Sequence, residues 1–206
     1  MPQKQSARKR RAILDAATEL FLAEGYAGAS MDAIAALAGV SKPTVYKHFA
    51  DKQSLFAQIV GDTIDKYTEP FHEAVANLRD RGDVREHLCD LARLLLDAVM
   101  QPQLLQLRRV VIGEASRLPD LGRGYEQRGP DRAISALTTA FERLAEKRTL
   151  HIDDPSLAAA HFNWLVLAIP LNHAMLSGDD RAPQPSELKR YADGAVRIFL
   201  AAHLAT

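Results

Sequence analysis

The chain has 206 residues, of which 47% are hydrophobic and 25% are charged, and its formal net charge is zero. This length exceeds one average domain but still allows a single large one. The only cysteine, Cys89, excludes an intrachain disulfide framework, and its place on an amphipathic helix predicts a small core residue.

The apolar segments are too short to cross a membrane. The longest apolar run, residues 164–171, is interrupted by Pro170 and is far shorter than the roughly 20 residues of a spanning helix. The N-terminal residues MPQKQSARKRR are polar and basic with no apolar run behind them, which excludes an ordinary secretory signal. We therefore expect a cytoplasmic protein with no membrane partner.

The N-terminal part of the chain is predicted to form three helices. After about seven disordered residues, a first helix runs over residues 8–24 with one apolar face, and Gly25 is expected to be its left-handed cap. Ser30 is expected to cap a short second helix that ends at Ala38, and a third helix covers residues 42–48.

The rest of the chain is also predicted to be helical, because no segment alternates apolar and polar residues with a period of two. A helix capped by Asp51 is expected first, and Pro70 kinks or ends it. Further helices are expected over 83–100, 102–117, 130–147 and 155–177, followed by a last helix capped by Ser186. The segment at 119–128 is ambiguous, and residues 178–185 are expected to form a loop. The fold class is therefore all-α, with about nine or ten helices and no strand.

The stretch AGVSKPTVYKHFADK, residues 38–52, has the residues that a helix-turn-helix needs. Such a motif joins two short helices at a steep angle through a turn of three or four residues. Gly39 tolerates a positive φ in that turn. Ser41 is expected to cap the next helix with its hydroxyl, and Pro43 suits the first helical turn.

The second helix of this motif is predicted to carry DNA-contacting side chains on its outer faces. Val45 and Phe49 lie four residues apart and are expected to hold the inner face in the core. The other faces offer hydroxyl, ammonium and aromatic groups for phosphate oxygens and base edges. Together with the amide end of the following helix, the predicted contacts are Ser30, Ser41, Lys42, Pro43, Thr44, Tyr46, Lys47, His48 and Lys52.

The charge distribution agrees with a partner at the N-terminal end. Residues 1–52 contain eight Lys/Arg and five Asp/Glu, so 8 − 5 gives +3, while the remainder contains 18 basic and 21 acidic residues, so 18 − 21 gives −3. A chance imbalance of a few charges is the alternative. Each piece of the motif also has a simpler interpretation as a turn, a cap or a solvated face, and we favour DNA binding because the pieces occur together.

Residues Arg10 to Ile59 resemble a TetR-type transcriptional regulator. The similarity is carried by Glu-Gly-Tyr at 24–26, Ser-x-x-x-Ile-Ala from Ser30, Ala-Gly-Val-Ser at 38–41 and Val-Tyr-x-His-Phe-x-x-Lys at 45–52. One departure is Pro43, where many members have glycine, and it is expected to affect only the first turn of the helix and its phosphate contacts.

This resemblance implies a helix-turn-helix DNA-binding domain, assigned to residues 1–52, and an all-helical ligand-binding and dimerisation domain, assigned to residues 53–206. The stretch RRVVIGEASRLPDLGRGYEQRGPDRA is similar to C-terminal domains of the AefR-like subgroup. The implied partners are a double-stranded DNA operator, an unidentified, largely apolar small molecule and a second copy of the chain.

The last two helices are predicted to form the dimer interface. The helix over 155–177 is apolar almost all round, and the last helix has a wide apolar stripe, so each has more apolar surface than one core contact requires. Two such helices from each subunit could form a four-helix interface. The alternative is that both helices lie within a monomer core.

Candidate ligand-binding residues are apolar or aromatic positions with a few polar groups that could orient a molecule. These candidates are Phe71, Val99, Leu107, Val111, Glu114, Phe141, His161 and Trp164. Taken singly, each could equally be an ordinary core residue.

No catalytic or metal site and no cofactor is predicted. His161 and His173 lie twelve residues apart, too far to share an ion on a straight helix. The function that the resemblance and the charge pattern imply is a ligand-responsive, sequence-specific repressor that a small molecule releases from its operator. One alternative is a constitutive DNA-binding protein without a ligand. The other is a helical-bundle enzyme, which is less favoured because Asp97, Glu114 and His161 are too scattered along the chain to propose a catalytic set.

Overall fold

The computed structural model describes residues 2–78, 83–177 and 183–204, and it is built from α-helices. The helices are α1 Pro2–Gly28, α2 Met31–Leu37, α3 Lys42–His48, α4 Lys52–Ala76, α5 Val84–Val99, α6 Pro102–Glu114, α7 Pro119–Glu126, α8 Arg132–Glu146, α9 Pro155–Ser177 and α10 Pro185–His203. A π-helical turn, Gln127–Asp131, joins α7 to α8. The described part contains no strand beyond one isolated bridge, so the predicted all-α class is confirmed.

The chain divides into two compact units. The first comprises residues 1–63 and 106–125, and the second comprises residues 64–105 and 126–206. The predicted functional division after residue 52 stays a prediction. None of the described helices is long and apolar enough to cross a bilayer.

The first unit packs α1, α2 and α3 around a small apolar core. Phe21 lies at its centre, with its ring 4.7 Å from that of Phe56 and 5.9 Å from that of Tyr26 between centroids. Fully buried aliphatic side chains surround this group, including Ile13, Ala17, Ile34, Val45 and Leu55. A unit of this size buries little surface, so such aromatic contacts are a large part of its stability.

The second unit is a bundle in which α9 packs against α8, α10 and α5. Its core contains Phe141, Phe162 and Phe199, whose ring centroids lie 5.1–5.8 Å apart. Arg93 on α5 donates to Asp193 on α10 across 2.8 Å, which pairs two half-exposed charges at the edge of this core.

The caps predicted at Ser30 and Asp51 are confirmed by local hydrogen bonds. The Ser30 hydroxyl accepts from the amide of Ala33 at 3.1 Å. A carboxylate oxygen of Asp83, for which no cap was predicted, also accepts from the amide of Arg85 at 2.8 Å. Asp51 accepts from the amide of Ser54 at 2.7 Å, while the Ser54 hydroxyl accepts from the Asp51 amide at 3.2 Å. This reciprocal pair is a capping box at the start of α4.

Two predictions about helix ends near the N-terminus need correction. The first seven residues were expected to be disordered, but α1 begins at Pro2, because Lys, Gln and Arg are good helix formers. Gly25 has the predicted positive φ, yet its φ of 72° and ψ of 177° interrupt α1 instead of closing it in the left-handed helical region. The chain therefore bends at Gly25 and continues helically to Gly28.

Three further predictions about prolines and caps were wrong or incomplete. Pro70 does not end α4, which continues to Ala76 with Phe71 and Val75 buried, while the alternative of a kink stays a prediction. The last helix begins at Pro185, which fits a first turn, with Gln184 instead of Ser186 at the cap position. The ambiguous segment forms α7, and Pro130 lies within the π-helical turn. Of the predicted loop, residues 178–182 lie outside the described residues.

Candidate nucleic-acid interface

The turn between α2 and α3 has the geometry that the sequence predicts. Gly39 adopts φ 64°, a conformation that L side chains rarely accept. The amide of Val40 then donates to the carbonyl of Ala35 at 3.0 Å, and the amide of Gly39 donates to the carbonyl of Ala36 at 3.2 Å. These bonds satisfy the free carbonyls at the end of α2 and orient the chain for α3.

The inner face of α3 is fixed by apolar anchors. Val45 is completely buried and Phe49 is 6% exposed, as their spacing predicts. The Arg10 guanidinium lies over the Phe49 ring, 5.2 Å from its centroid. Because both anchors lie on one side of a helix of seven residues, the remaining side chains are directed away from the core.

The outer faces of α3 present the predicted polar and aromatic groups. The exposed residues are Ser41, Lys42, Pro43, Tyr46 and Lys47, and Thr44 and His48 are half-buried. Tyr46 is 46% exposed, so its ring and hydroxyl are accessible on the outer side of α3. The geometry therefore supports α3 as a recognition helix, while the contribution of each side chain stays a prediction.

Two polar side chains of α3 are used differently from the prediction. The Ser41 hydroxyl makes no hydrogen bond to a backbone amide of α3 and instead lies 2.8 Å from the Thr44 hydroxyl. The Lys42 ammonium lies 2.7 Å from a carboxylate oxygen of Asp32 on α2. That ion pair is exposed, raises the pKa of Lys42 through the hydrogen bond to Asp32, and links the two helices of the motif.

Lys52 makes hydrogen bonds within the first unit that the sequence did not predict. Its ammonium donates to the carbonyls of Tyr26 and Ala29 at 2.8 and 3.0 Å, and lies 4.5 Å from the centroid of the Tyr26 ring. A cation that is hydrogen-bonded to two carbonyls at the end of α1 is part of the internal structure. We therefore describe Lys52 as an intramolecular clamp between α4 and α1, while its predicted phosphate contact stays a prediction.

Tyr26 belongs to this arrangement and was not singled out from the sequence as a site residue. Its ring packs against Phe56 at 5.4 Å, and burial, with smaller effects of Asp51 and Glu114, raises the pKa of its phenol. The sequence signal that could have found it is its place in the Glu-Gly-Tyr triplet, next to the positive-φ glycine.

The candidate ligand residues are divided between the two units. Leu107 and Val111 are buried in the first unit, where Glu114 is half-buried and pairs with Arg117 at 3.6 Å. Phe71, Val99 and Phe141 belong to the second unit, and all three lie in or against its apolar core. Their role in ligand binding stays a prediction.

His161 and Trp164 lie on the surface of the second unit, and their role in ligand binding stays a prediction. His161 is exposed and Trp164 is 40% exposed on the outer side of α9. Both line a groove of about 530 Å³ between α9 and α10, together with Leu165, Ile198 and His203. They belong to the helical surface that the sequence predicts for dimerisation.

Family comparisons agree with this architecture. Residues 13–59 match the model for bacterial regulatory proteins of the tetR family. Residues 86–205, which are more than half of the chain, match the model for the C-terminal domain of AefR-like transcriptional repressors. The chain belongs to the TetR family of transcriptional regulators. Both parts of the resemblance seen in the sequence are therefore confirmed.

Two curated relatives of this TetR-family chain are transcription factors. The HTH-type transcriptional activator FasR of Mycolicibacterium smegmatis is 39% identical over 80 residues, which cover 39% of this chain and only 35% of that protein. The HTH-type transcriptional repressor Rv1474c of Mycobacterium tuberculosis is 29% identical over 174 residues, which cover 84% of this chain and 86% of that protein.

Two solved TetR-like structures match nearly the whole chain. A protein from Mesorhizobium loti MAFF303099, assigned to the TetR family of transcriptional regulators, is 39% identical with a TM-score of 0.88 and covers 97% of this chain and 98% of its own. The flavonoid-responsive regulator FrrA is 29% identical with a TM-score of 0.79, over 96% of this chain and 98% of its own. The predicted function as a transcriptional regulator is thereby confirmed in its main statement.

Buried polar residues of this TetR-family chain were missed by the sequence reasoning. His72 and Asn163 are 9% and 1% exposed in the second unit. Asn163 had no signal in the sequence, because α9 is apolar on more than one face. Among the described residues, no group of three or more His, Cys, Asp or Glu side chains could hold a metal ion.

Proposed function

We propose that this TetR-family regulator is a homodimeric repressor that binds an operator through α3 and leaves it when a small apolar molecule binds the C-terminal domain. The observation that carries the proposal is the placement of α3. Its apolar residues are buried in the first unit, while Tyr46, Lys47 and Lys42 point outward on a short, well-anchored helix.

The DNA-binding part of the proposal follows from the chemistry of this helix. Ammonium and hydroxyl groups bind phosphate oxygens, and an exposed tyrosine can contact base edges or thymine methyl groups in the major groove. A helix of seven residues fits that groove without steric conflict, because its anchors occupy only one side. The five exposed residues named above would therefore form the contact surface.

The dimeric state is supported by unpaired apolar surface on the last two helices. On α9 the exposed fractions are 52% for Leu157, 38% for Leu165, 52% for Ile169 and 78% for Leu176, and Ile198 on α10 is 56% exposed. Such a concentration of apolar side chains on one face marks a protein interface. Two recognition helices on one dimer can then enter successive major grooves about 34 Å apart.

The assignment as a ligand-responsive repressor is supported by the relatives. The matched C-terminal model describes repressors, and a relative that aligns over 174 residues is named a repressor. FrrA, with a similar structure over almost the whole chain, is described as flavonoid-responsive. We therefore propose an aromatic, largely apolar effector, with flavonoids as the first class to test.

The proposal is tested by selecting duplexes from a random library and measuring affinity by fluorescence anisotropy. We expect a palindromic sequence with half-sites one helical turn apart and binding by one dimer. Tyr46→Ala should weaken binding by at least about tenfold, equivalent to about 1.4 kcal/mol, without changing the urea midpoint. If no preferred sequence is selected, the proposed function as a sequence-specific regulator is wrong. If a sequence is selected but no flavonoid releases the protein from it, the result favours the alternative of a constitutive DNA-binding protein without a ligand.

A further inference from the structure

Asn163 is the most enclosed polar side chain in the second unit. It is 1% exposed, and both its amide nitrogen and its amide oxygen are buried without a hydrogen-bond partner among the described residues. Thr68, another buried polar residue of that unit, donates to the carbonyl of Ile64 at 2.9 Å and is therefore satisfied within its own helix. Buried amides are normally hydrogen-bonded, so Asn163 needs an explanation.

The position of Asn163 on α9 directs it toward the bundle and away from the exposed apolar face. Buried residues lie four positions before Asn163 and three, four and seven positions after it on the same helix. They are Ala159, Val166, Leu167 and Pro170. Asn163 is therefore in the middle of the inward side of the helix. The exposed residues of α9, including Trp164, lie on the opposite side.

The helix positions next to Asn163 on the inward side of α9 are apolar. Phe162, the residue before it in the sequence, belongs to the buried cluster that also contains Phe71, Phe141 and Phe199. An unsatisfied buried carboxamide lowers the stability of the folded chain, because its hydration is lost and not replaced. A polar group that is kept at such a cost is typical of a binding site, where a ligand supplies the missing partners.

We infer that Asn163 is the hydrogen-bonding anchor for the effector, and that the effector is an aromatic molecule with a hydroxyl donor next to a carbonyl acceptor. This inference rests on the proposed function as a ligand-responsive regulator. A carboxamide has one donor edge and one acceptor edge, so it pairs with a hydroxyl and a carbonyl on adjacent carbons. The rings of that molecule would pack against the neighbouring aromatic cluster.

The test compares 3-hydroxyflavone with flavone, which lacks only the hydroxyl beside the carbonyl. Calorimetric titration of the dimer should give wild-type affinity at least about tenfold higher for 3-hydroxyflavone. Asn163→Leu, which is nearly isosteric and apolar, should reduce this preference to less than about twofold. Val166→Ala, on the same inward side, should lower stability by removing core volume but keep the preference.

A second measurement needs no ligand. If Asn163 has no partner in the free protein, Asn163→Leu should raise the melting temperature by roughly 3–6 °C. A lower melting temperature would reveal a structural hydrogen bond and overturn the inference. If wild type and Asn163→Leu prefer 3-hydroxyflavone over flavone equally, Asn163 is not the anchor. If wild type shows no such preference, the inferred ligand class is wrong. The selection experiment with DNA tests the proposed function separately, since it requires neither flavone.

Discussion

The clamp formed by Lys52 gives a prediction that separates a structural lysine from a DNA-binding one. Lys52→Met keeps the length of the side chain but removes the ammonium that donates to the carbonyls of Tyr26 and Ala29. Two charged hydrogen bonds at a half-buried position contribute about 1 kcal/mol each, and the contact with the Tyr26 ring adds about 0.5 kcal/mol. We therefore expect a loss of roughly 2–3 kcal/mol in the free energy of unfolding.

The matched control is Lys47→Met, because Lys47 is exposed on α3. Urea unfolding should show a lower midpoint for Lys52→Met and an unchanged midpoint for Lys47→Met. The dependence of operator affinity on salt should show the reverse. Removing a phosphate contact from each half of a dimer lowers the slope of log affinity against log salt by about 2, and this is expected only for Lys47→Met.

One result would refute the assignment of Lys52 as a clamp. If Lys52→Met lowered the salt slope by about 2 and left the urea midpoint unchanged, Lys52 would be a phosphate contact, as the sequence alone suggested. The two lysines are only five residues apart, so the measurement distinguishes their roles within one short segment of the chain.

Three further predictions concern the dimer face, the bend in α1 and the pH dependence of stability. Ile169→Glu places a charge on the exposed apolar side of α9 and should shift the dimer toward monomer in analytical ultracentrifugation. A variant with the same monomer–dimer distribution as wild type would argue against this interface. Gly25→Ala should lower the free energy of unfolding by about 1–2 kcal/mol because Gly25 has a positive φ, although an added Cβ would meet nothing within 4 Å. Gly113→Ala, in open space on α6, should raise the free energy of unfolding by about 0.5 kcal/mol. Equal urea midpoints for the two variants would contradict this conformational explanation. Burial, and less strongly the charge of Arg132, lowers the pKa of His72. As the pH falls below about 6.5, the unfolded chain therefore takes up a proton before the folded chain does. The free energy of unfolding then declines until the pH reaches the pKa of His72 in the folded chain. His72→Gln should remove that decline, and an unchanged stability–pH curve would show that another group causes it.

The local features of the DNA-binding part were predictable from the sequence because they depend on residues close together in the chain. Gly39 needs only its own backbone freedom to make the turn, and Ser30 and Asp51 each bond an amide three residues later. The alternation of buried and exposed positions on α3 follows from helical periodicity around Val45 and Phe49.

Other assignments required contacts between distant parts of the chain. The partners of Lys52 lie 23 and 26 residues earlier, so no local pattern could separate its clamp from a phosphate contact. On α9, apolar residues occur on every side, and periodicity therefore could not decide which face turns inward. Only packing against α5, α8 and α10 buried Asn163 and left Trp164 and His161 outside. The sequence by itself determined the family, the all-α class and the exposed polar face of α3. The tertiary structure decided which polar groups are enclosed, because enclosure depends on neighbours that the chain brings together only on folding.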